Sequence, residues 1–212
     1  MKSDTQPASA GLNRPQNHLT PDKALAMLLD GNARYLDESI SPEDYSARTA
    51  AAIEDHAPLA GILGCADARI AAELIFDCGP GDLFMVRVAG NFLSEYGLAS
   101  LEYCVRFLDT PLLMVLGHTQ CGAVTAALKT VQERIPLPGR LPFLIDAIEP
   151  AVHIAESKNP DDLLNASIVE NVRRQVQRLS TLSNVLGDAV NAGNLKIVGA
   201  VYDLATGKVT LV

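Results

Sequence analysis

The sequence predicts a single α/β domain built on a mainly parallel sheet. Four apolar runs of strand length, each bounded by turn residues, alternate with segments in which apolar residues recur every three or four positions. Strands connected by helices in this way pair in parallel, so the central sheet is flanked by its connecting helices. A chain of 212 residues gives one well-buried core and is short for two domains.

The chain begins with a polar segment that precedes the predicted domain. Residues 1–18 are rich in Ser, Asn, Gln and Pro and predict a flexible N-terminal arm, and residues 19–212 predict one catalytic domain. Thr20 and Pro21 start a helix, since Thr is a good N-cap and Pro suits the first turn. Residues 40–57 predict a further helix. The four main strands are predicted at Leu59–Leu63, Leu83–Val88, Leu112–Leu116 and Leu195–Val201.

The remaining elements follow from turn residues and helical spacing. The Thr206-Gly207 turn predicts a hairpin that adds an edge strand over Lys208–Leu211. Across residues 162–187 the apolar side chains form one stripe, which is typical of a single long amphipathic helix. The other helices between strands are predicted at Ala71–Phe76, Gly97–Leu108, Cys121–Val131 and 140–157.

Composition excludes several classes of function. The formal net charge of −8 and the pI near 4.9 argue against a protein that binds nucleic acid or an anionic membrane, because phosphate is repelled. The first residues lack an apolar leader and no apolar run is long enough to cross a bilayer. Four cysteines are too few for a disulfide scaffold. We therefore expect a cytoplasmic enzyme.

Metal-ligating residues follow two of the predicted strands. Cys65 comes just after the first strand, and His118 and Cys121 follow the third. Parallel strands end at the same edge of a sheet, so these side chains can point at one atom. Each residue alone is more often a core or turn residue, but the combination of the two strand ends favours a metal site. Two thiolates and one imidazole favour zinc, and three protein ligands are typical of catalytic zinc.

Two segments carry a resemblance to a known family. Residues 64–91 read GCADARIAAELIFDCGPGDLFMVRVAGN, and residues 101–124 read LEYCVRFLDTPLLMVLGHTQCGAV. Both resemble the β-class carbonic anhydrases, and the similarity extends from about Thr20 to the C-terminus. The resemblance implies that Cys65, His118 and Cys121 bind one Zn²⁺ per chain and that Asp67 and Arg69 form the catalytic dyad.

The resemblance also implies an activity and an assembly. The reaction is CO₂ + H₂O ⇌ HCO₃⁻ + H⁺, in which zinc-bound hydroxide attacks carbon dioxide. Asp67 would accept a hydrogen bond from that hydroxide, and Arg69 would keep Asp67 ionised and away from the metal. The family fold dimerises through swapped arms and adjoining strands, with active sites at the subunit interface. We therefore expect a homodimer or a higher homo-oligomer, with CO₂ and bicarbonate as ligands and no nucleic-acid or membrane partner.

The sequence departs from the family pattern at several positions. The usual Cys-Ser-Asp-Ser-Arg is Cys-Ala-Asp-Ala-Arg here, so Ala66 and Ala68 remove two hydroxyls that support the site rather than bind the metal. Ile62 stands where the bicarbonate-inhibited subgroup carries Trp, and we therefore expect Asp67 to pair with Arg69 and to stay off the metal. His56 replaces a Gln that reaches the substrate pocket across the dimer.

Candidate pocket residues surround this metal motif. Phe84 and Val88 could line an apolar pocket for carbon dioxide or simply pack in the core, and Tyr96 is a further pocket candidate. The backbone N–H of Gly122 could bind bicarbonate at a helix start. His56 could donate a hydrogen bond, shuttle a proton or sense pH, or it could be an exposed turn histidine.

Two other functions fit the same ligand set. The first is a hydrolase of carbonyl sulfide or carbon disulfide on the same scaffold, because only pocket shape and access separate those substrates from carbon dioxide. The second is a zinc-binding interaction protein without turnover, suggested by Ala66, Ala68 and His56. The complete ligand set and the Asp67–Arg69 pair argue against the second.

We predict that His56→Gln alters the buffer dependence or the pH profile of turnover, because an imidazole titrates near neutrality and an amide does not. Steady-state hydration rates measured over a range of pH and buffer concentrations check this. An unchanged profile would show that His56 takes no part in the reaction.

Overall fold

The structure, a computed structural model, describes residues 18–39 and 57–212. Residues 40–56 of the predicted helix over 40–57, which include His56, and residues 1–17 of the predicted arm lie outside these ranges. The helices are α1 (Pro21–Leu36), α2 (Ala72–Ile75), α3 (Glu95–Leu108), α4 (Gly122–Glu133), α5 (Leu141–Ser157), α6 (Leu163–Leu182) and α7 (Asn184–Asn191). The strands are β1 (Ala60–Gly64), β2 (Leu83–Arg87), β3 (Leu112–His118), β4 (Lys196–Tyr202) and β5 (Val209–Leu211).

The strands form one sheet in the order β2-β1-β3-β4-β5. The first four pair in parallel, and β5 returns antiparallel to β4 through the predicted hairpin. The predicted α/β fold with a mainly parallel sheet and an edge strand is confirmed. All five strands lie within one or two residues of their predicted positions.

The predicted single helix over residues 162–187 is wrong at its C-terminal end. The chain forms two helices, α6 and α7, because Ser183 adopts an extended backbone with φ −121° and ψ 117°. Its hydroxyl accepts a hydrogen bond from the Leu186 backbone N–H and donates one to Glu102, 2.7 Å away. A serine that caps a new helix in this way ends the preceding one.

Helices cover both faces of the sheet, because apolar side chains of the strands point alternately to one face and to the other. On one face, Leu63, Leu113 and Val115 pack in a core shared with helices α3 to α6. On the other face, Ile62 and Met114 pack with residues of α1 and α2. β3 lies at the centre and is buried along its whole length, whereas the edge strand β2 is half-exposed. A sheet buried on both sides explains why β3 reads as an uninterrupted apolar run.

The order of the strands creates one crevice at the carboxyl edge of the sheet. From β1 the chain steps to β2 on one side, and it then crosses to β3 on the other side of β1. Connections leave in opposite directions at this switch point, and the crevice between β1 and β3 is the usual ligand site of such sheets. The residues that follow β1 and β3 therefore lie where a ligand is expected.

A buried asparagine of α1 ties this helix to α2 and to the C-terminal hairpin. The Asn32 amide donates to the backbone carbonyls of Ile75 (3.1 Å) and Gly207 (3.0 Å). Its side-chain oxygen accepts from the Val209 backbone N–H at 2.9 Å. All three bonds are buried, so the loss of this one side chain leaves three backbone groups without their partners.

We predict that Asn32→Leu lowers the free energy of unfolding by about 3 kcal/mol, because desolvated backbone groups lose their partners. Urea denaturation followed by circular dichroism measures the change. Asn191→Leu, at an exposed position, serves as the control and should be nearly neutral. Equal stability of the two variants would show that the Asn32 bonds contribute little.

Candidate metal centre and active site

Three buried side chains converge at the switch point. Cys65 follows the last residue of β1, His118 is the last residue of β3, and Cys121 is the N-cap residue of α4. Their exposed fractions are 4%, 0% and 1%. The structure thus brings together the three residues that the sequence predicted as metal ligands.

The spacing of the donor atoms fits a metal ion. One donor atom from each residue lies within 4.8 Å of the other two, and the two sulfur atoms are 4.0 Å apart. Two thiolates on a tetrahedral zinc ion, at Zn–S bonds of about 2.3 Å, lie about 3.8 Å apart. The distance between the two sulfur atoms is therefore close to that of two thiolates on one zinc ion.

The imidazole of His118 is oriented as a ligand. Its Nδ1 lies 2.9 Å from the Thr119 carbonyl oxygen, which accepts the ring N–H when Nδ1 carries the proton. Nε2 is then the atom with a free lone pair, and it is buried without a hydrogen-bond partner among the described residues. A backbone carbonyl that fixes the tautomer of a histidine is the usual outer support of a metal ligand.

Hydrogen bonds favour the thiolate form of Cys65. The Cys121 thiol and, to a smaller extent, the Gly90 backbone N–H lower the pKa of Cys65 despite its burial. Gly90 donates to the Cys65 sulfur at 3.2 Å. Because two neighbouring thiols compete for one charge, the pKa of Cys121 is raised. A divalent cation removes this competition, since thiolates are the metal-binding form.

The Asp67 carboxylate is held beside the three ligands by Arg69. Asp67 Oδ1 accepts from the Arg69 backbone N–H (3.0 Å) and Nε (2.9 Å), and Oδ2 accepts from Nη2 at 2.7 Å. The Arg69 guanidinium holds the pKa of Asp67 well below its usual range. Asp67 Oδ2 is also 3.9 Å from His118 Nε2. The carboxylate is thus paired with Arg69, as expected, and borders the space between the three ligands.

Arg87 supports the same loop, and sequence reasoning did not identify it. Its Nε donates to the Cys65 carbonyl at 3.0 Å, and its Nη2 donates to the Asp67 carbonyl at 2.7 Å. Arg87 is the last residue of β2, so the rule that selected the ends of β1 and β3 could also have selected this residue.

The predicted pocket residues fall into three groups. Phe84, Val88 and Tyr96 line one open cavity of about 320 Å³ beside β2 and α3. Gly122 lies at the start of α4 and does not line this cavity, but its backbone is exposed. His56 lies outside the described residues, so its role stays a prediction.

Comparisons with known proteins agree on one family. The family model described as carbonic anhydrase matches residues 60–209. A carbonic anhydrase of Mycolicibacterium smegmatis is 35% identical over 192 residues, which cover 90% of this chain and 93% of that protein.

Solved structures indicate the class within this family. A Coccomyxa β-carbonic anhydrase in complex with acetazolamide is 28% identical, with a TM-score of 0.65 and coverage of 89% of this chain and 86% of its own. Tetrameric β-carbonic anhydrases of Sordaria macrospora share the fold, with a TM-score of 0.70, 21% identity and coverage of 89% and 96%.

Fold, site and comparisons define a carbonic anhydrase, and the chain belongs to the β-class carbonic anhydrase family. It is accordingly a carbonate dehydratase, which is a lyase.

We predict that Cys65→Ala lowers zinc affinity by more than about 100-fold, since even the outer partners of metal ligands contribute about 10–100-fold. Competition with a chromophoric chelator measures the affinity. Cys104→Ala is the matched control, because Cys104 is also buried but is not among the three ligands. Equal loss of zinc from both variants would contradict the assigned ligand set.

Proposed function

We propose that this protein is a zinc-dependent carbonic anhydrase, with Cys65, His118 and Cys121 as its zinc ligands and Asp67 and Arg69 as its catalytic dyad. The observation that carries the proposal is the position of the Asp67 carboxylate. It lies 3.9 Å from the ligand nitrogen of His118, and Arg69 engages both of its oxygens. The substrates are then carbon dioxide and bicarbonate.

The chemistry that a bound zinc ion supplies is Lewis acidity, which lowers the pKa of water so that hydroxide is available near neutral pH. Asp67 contributes a hydrogen-bond acceptor beside the ligands. Because it is ionised and held by Arg69, it can accept a hydrogen bond from a reacting hydroxyl group and so orient the lone pair of that group. Arg69 keeps the carboxylate turned aside, so that it accepts hydrogen bonds instead of acting as a fourth ligand.

The replacement of two family serines by Ala66 and Ala68 leaves this arrangement well supported. The Arg69 backbone N–H bonds to the Asp67 carboxylate, and Arg87 bonds to the carbonyls of Cys65 and Asp67. Backbone and guanidinium donors thus fix the loop without hydroxyl groups. This observation favours an active enzyme over a zinc-binding protein without turnover.

A homodimer or larger homo-oligomer is the proposed assembly. β2 is an edge strand whose side chains are half-exposed. On the neighbouring α3, Tyr96 is 88% exposed and Tyr103 is 49% exposed, and the Tyr103 ring lies 6.4 Å from that of Phe84. An exposed aromatic surface suits a second copy of the chain when it lies next to a strand edge that pairs with no other strand in the described ranges.

The remaining proposals concern organisation and location. We propose residues 1–18 as the arm and residues 19–212 as one catalytic domain, because Leu19 already packs against the apolar core. None of the helices in the described ranges combines the length and apolar character that a membrane crossing requires. None of the four cysteines forms a disulfide, which suits a reducing compartment, and we propose the cytoplasm.

We predict that Asp67→Asn lowers kcat/KM for carbon dioxide hydration by about 100-fold, because the amide does not act as a charged acceptor toward the reacting hydroxyl. Stopped-flow hydration assays on protein with its zinc content quantified measure the rate.

The matched control for this variant is Asp146→Asn, at an exposed position on α5. It should retain both zinc and activity. Full activity of Asp67→Asn at one zinc per chain would contradict the role assigned to Asp67.

A further inference from the structure

Two buried amide side chains of α6 lie behind the metal centre. Asn171 and Gln175 are one helical turn apart, and each is only 1% exposed. They occupy the face of the helix that also carries the core residues Ile168, Val172 and Leu179. Burying a primary amide in an apolar core costs free energy unless its hydrogen bonds are made, so such a pair requires partners.

Their partners are in one loop, between β2 and α3. Asn171 Nδ2 donates to the Gly90 carbonyl at 2.8 Å. Gln175 Oε1 accepts from the Leu93 backbone N–H at 3.1 Å, and Gln175 Nε2 donates to Asn171 Oδ1 at 3.1 Å. The two amides thus bond to each other and hold both ends of the segment 90–93.

The same loop contacts a proposed metal ligand. Gly90 donates its N–H to the Cys65 sulfur at 3.2 Å, and its carbonyl accepts the bond from Asn171. Its backbone is left-handed, with φ +79°, and a Cβ at this position would lie 2.5 Å from Ile148 Cδ1. The left-handed backbone favours glycine, whose conformational freedom leaves the direction of the N–H to the bonds that hold the loop.

We propose that Asn171 and Gln175 are positioning residues, which aim the Gly90 N–H at the Cys65 thiolate and thereby set its strength as a metal ligand. The inference rests on the proposed zinc site. A hydrogen bond to a ligating sulfur draws electron density from it, and outer partners of this kind fix the orientation of ligands. The line of contacts runs from Gln175 through Asn171 and Gly90 to Cys65, and its Asn171–Gly90 bond joins residues 81 positions apart.

Asn171→Leu and Gln175→Met test the proposal, because each removes the amide at similar volume. We expect each to weaken zinc binding by about 10-fold or more and to speed zinc release to a chelator. In the Co²⁺-substituted protein, the thiolate-to-cobalt charge-transfer band should shift, since it reports directly on the sulfur. Either variant is sufficient if the other fails to fold.

Two control variants separate positioning from simple loss of stability. Gln177→Met is on the exposed face of the same helix and should leave zinc affinity and the band unchanged. Asn32→Leu removes a similarly buried amide that bonds to other parts of the chain, so it should lower stability without shifting the band. All measurements are made at a temperature where circular dichroism shows the variant to be folded.

The outcomes distinguish this inference from the proposed function. If the unmodified protein binds no zinc, or if Cys65→Ala binds zinc as tightly, the metal site itself is wrong and the inference fails with it. If the unmodified protein binds one zinc but Asn171→Leu and Gln175→Met behave like the controls, only the positioning role is overturned.

Discussion

Three buried side chains that can bind a metal ion have their donor atoms within 4.8 Å of one another, and this crowding determines what the surroundings of the site must supply. Two thiols and an imidazole at such short range compete for protons and charge, and burial makes that competition costly. A divalent cation relieves it. Backbone groups around the site support metal binding, since the Gly90 N–H donates to the Cys65 sulfur and the Thr119 carbonyl orients the His118 ring.

The sheet topology supplies this cluster in the right place. β1 and β3 are adjacent and parallel although α2, β2 and α3 separate them in sequence, so their carboxyl ends meet at the switch point. The pairing of these two apolar strands brings Cys65 and His118 together. The fold therefore contributes directly to the site, because any slip in the register of these strands would displace a ligand.

The strands and the three candidate metal ligands could be predicted from the sequence, and the physical reason differs between them. The strands are short apolar runs with clear turn residues, and Cys65, His118 and Cys121 follow from the rule that ligands bind at the carboxyl ends of parallel strands. The break at Ser183 was missed because a serine cap interrupts an otherwise continuous apolar stripe. Arg87, Gly90, Asn171 and Gln175 were missed because their roles depend on hydrogen bonds between distant segments.

The loop of residues 65–69 shows how the position of a carboxylate can be fixed by different supporting residues. Ala66 and Ala68 lack the hydroxyl groups of the family pattern, yet Asp67 is held by Arg69 and the loop by Arg87. Local support has been supplied by guanidinium and backbone donors, which are strong and geometrically defined. In the proposed mechanism, the intact carboxylate–guanidinium pair connects the three candidate metal ligands to turnover.

The most direct test of the central claim is stopped-flow carbon dioxide hydration over a range of pH, on protein whose zinc content is quantified. A zinc-dependent carbonic anhydrase will contain one zinc per chain, and its turnover will rise with pH, as the supply of hydroxide requires. One zinc per chain with hydration at the uncatalysed rate at every pH would contradict this claim.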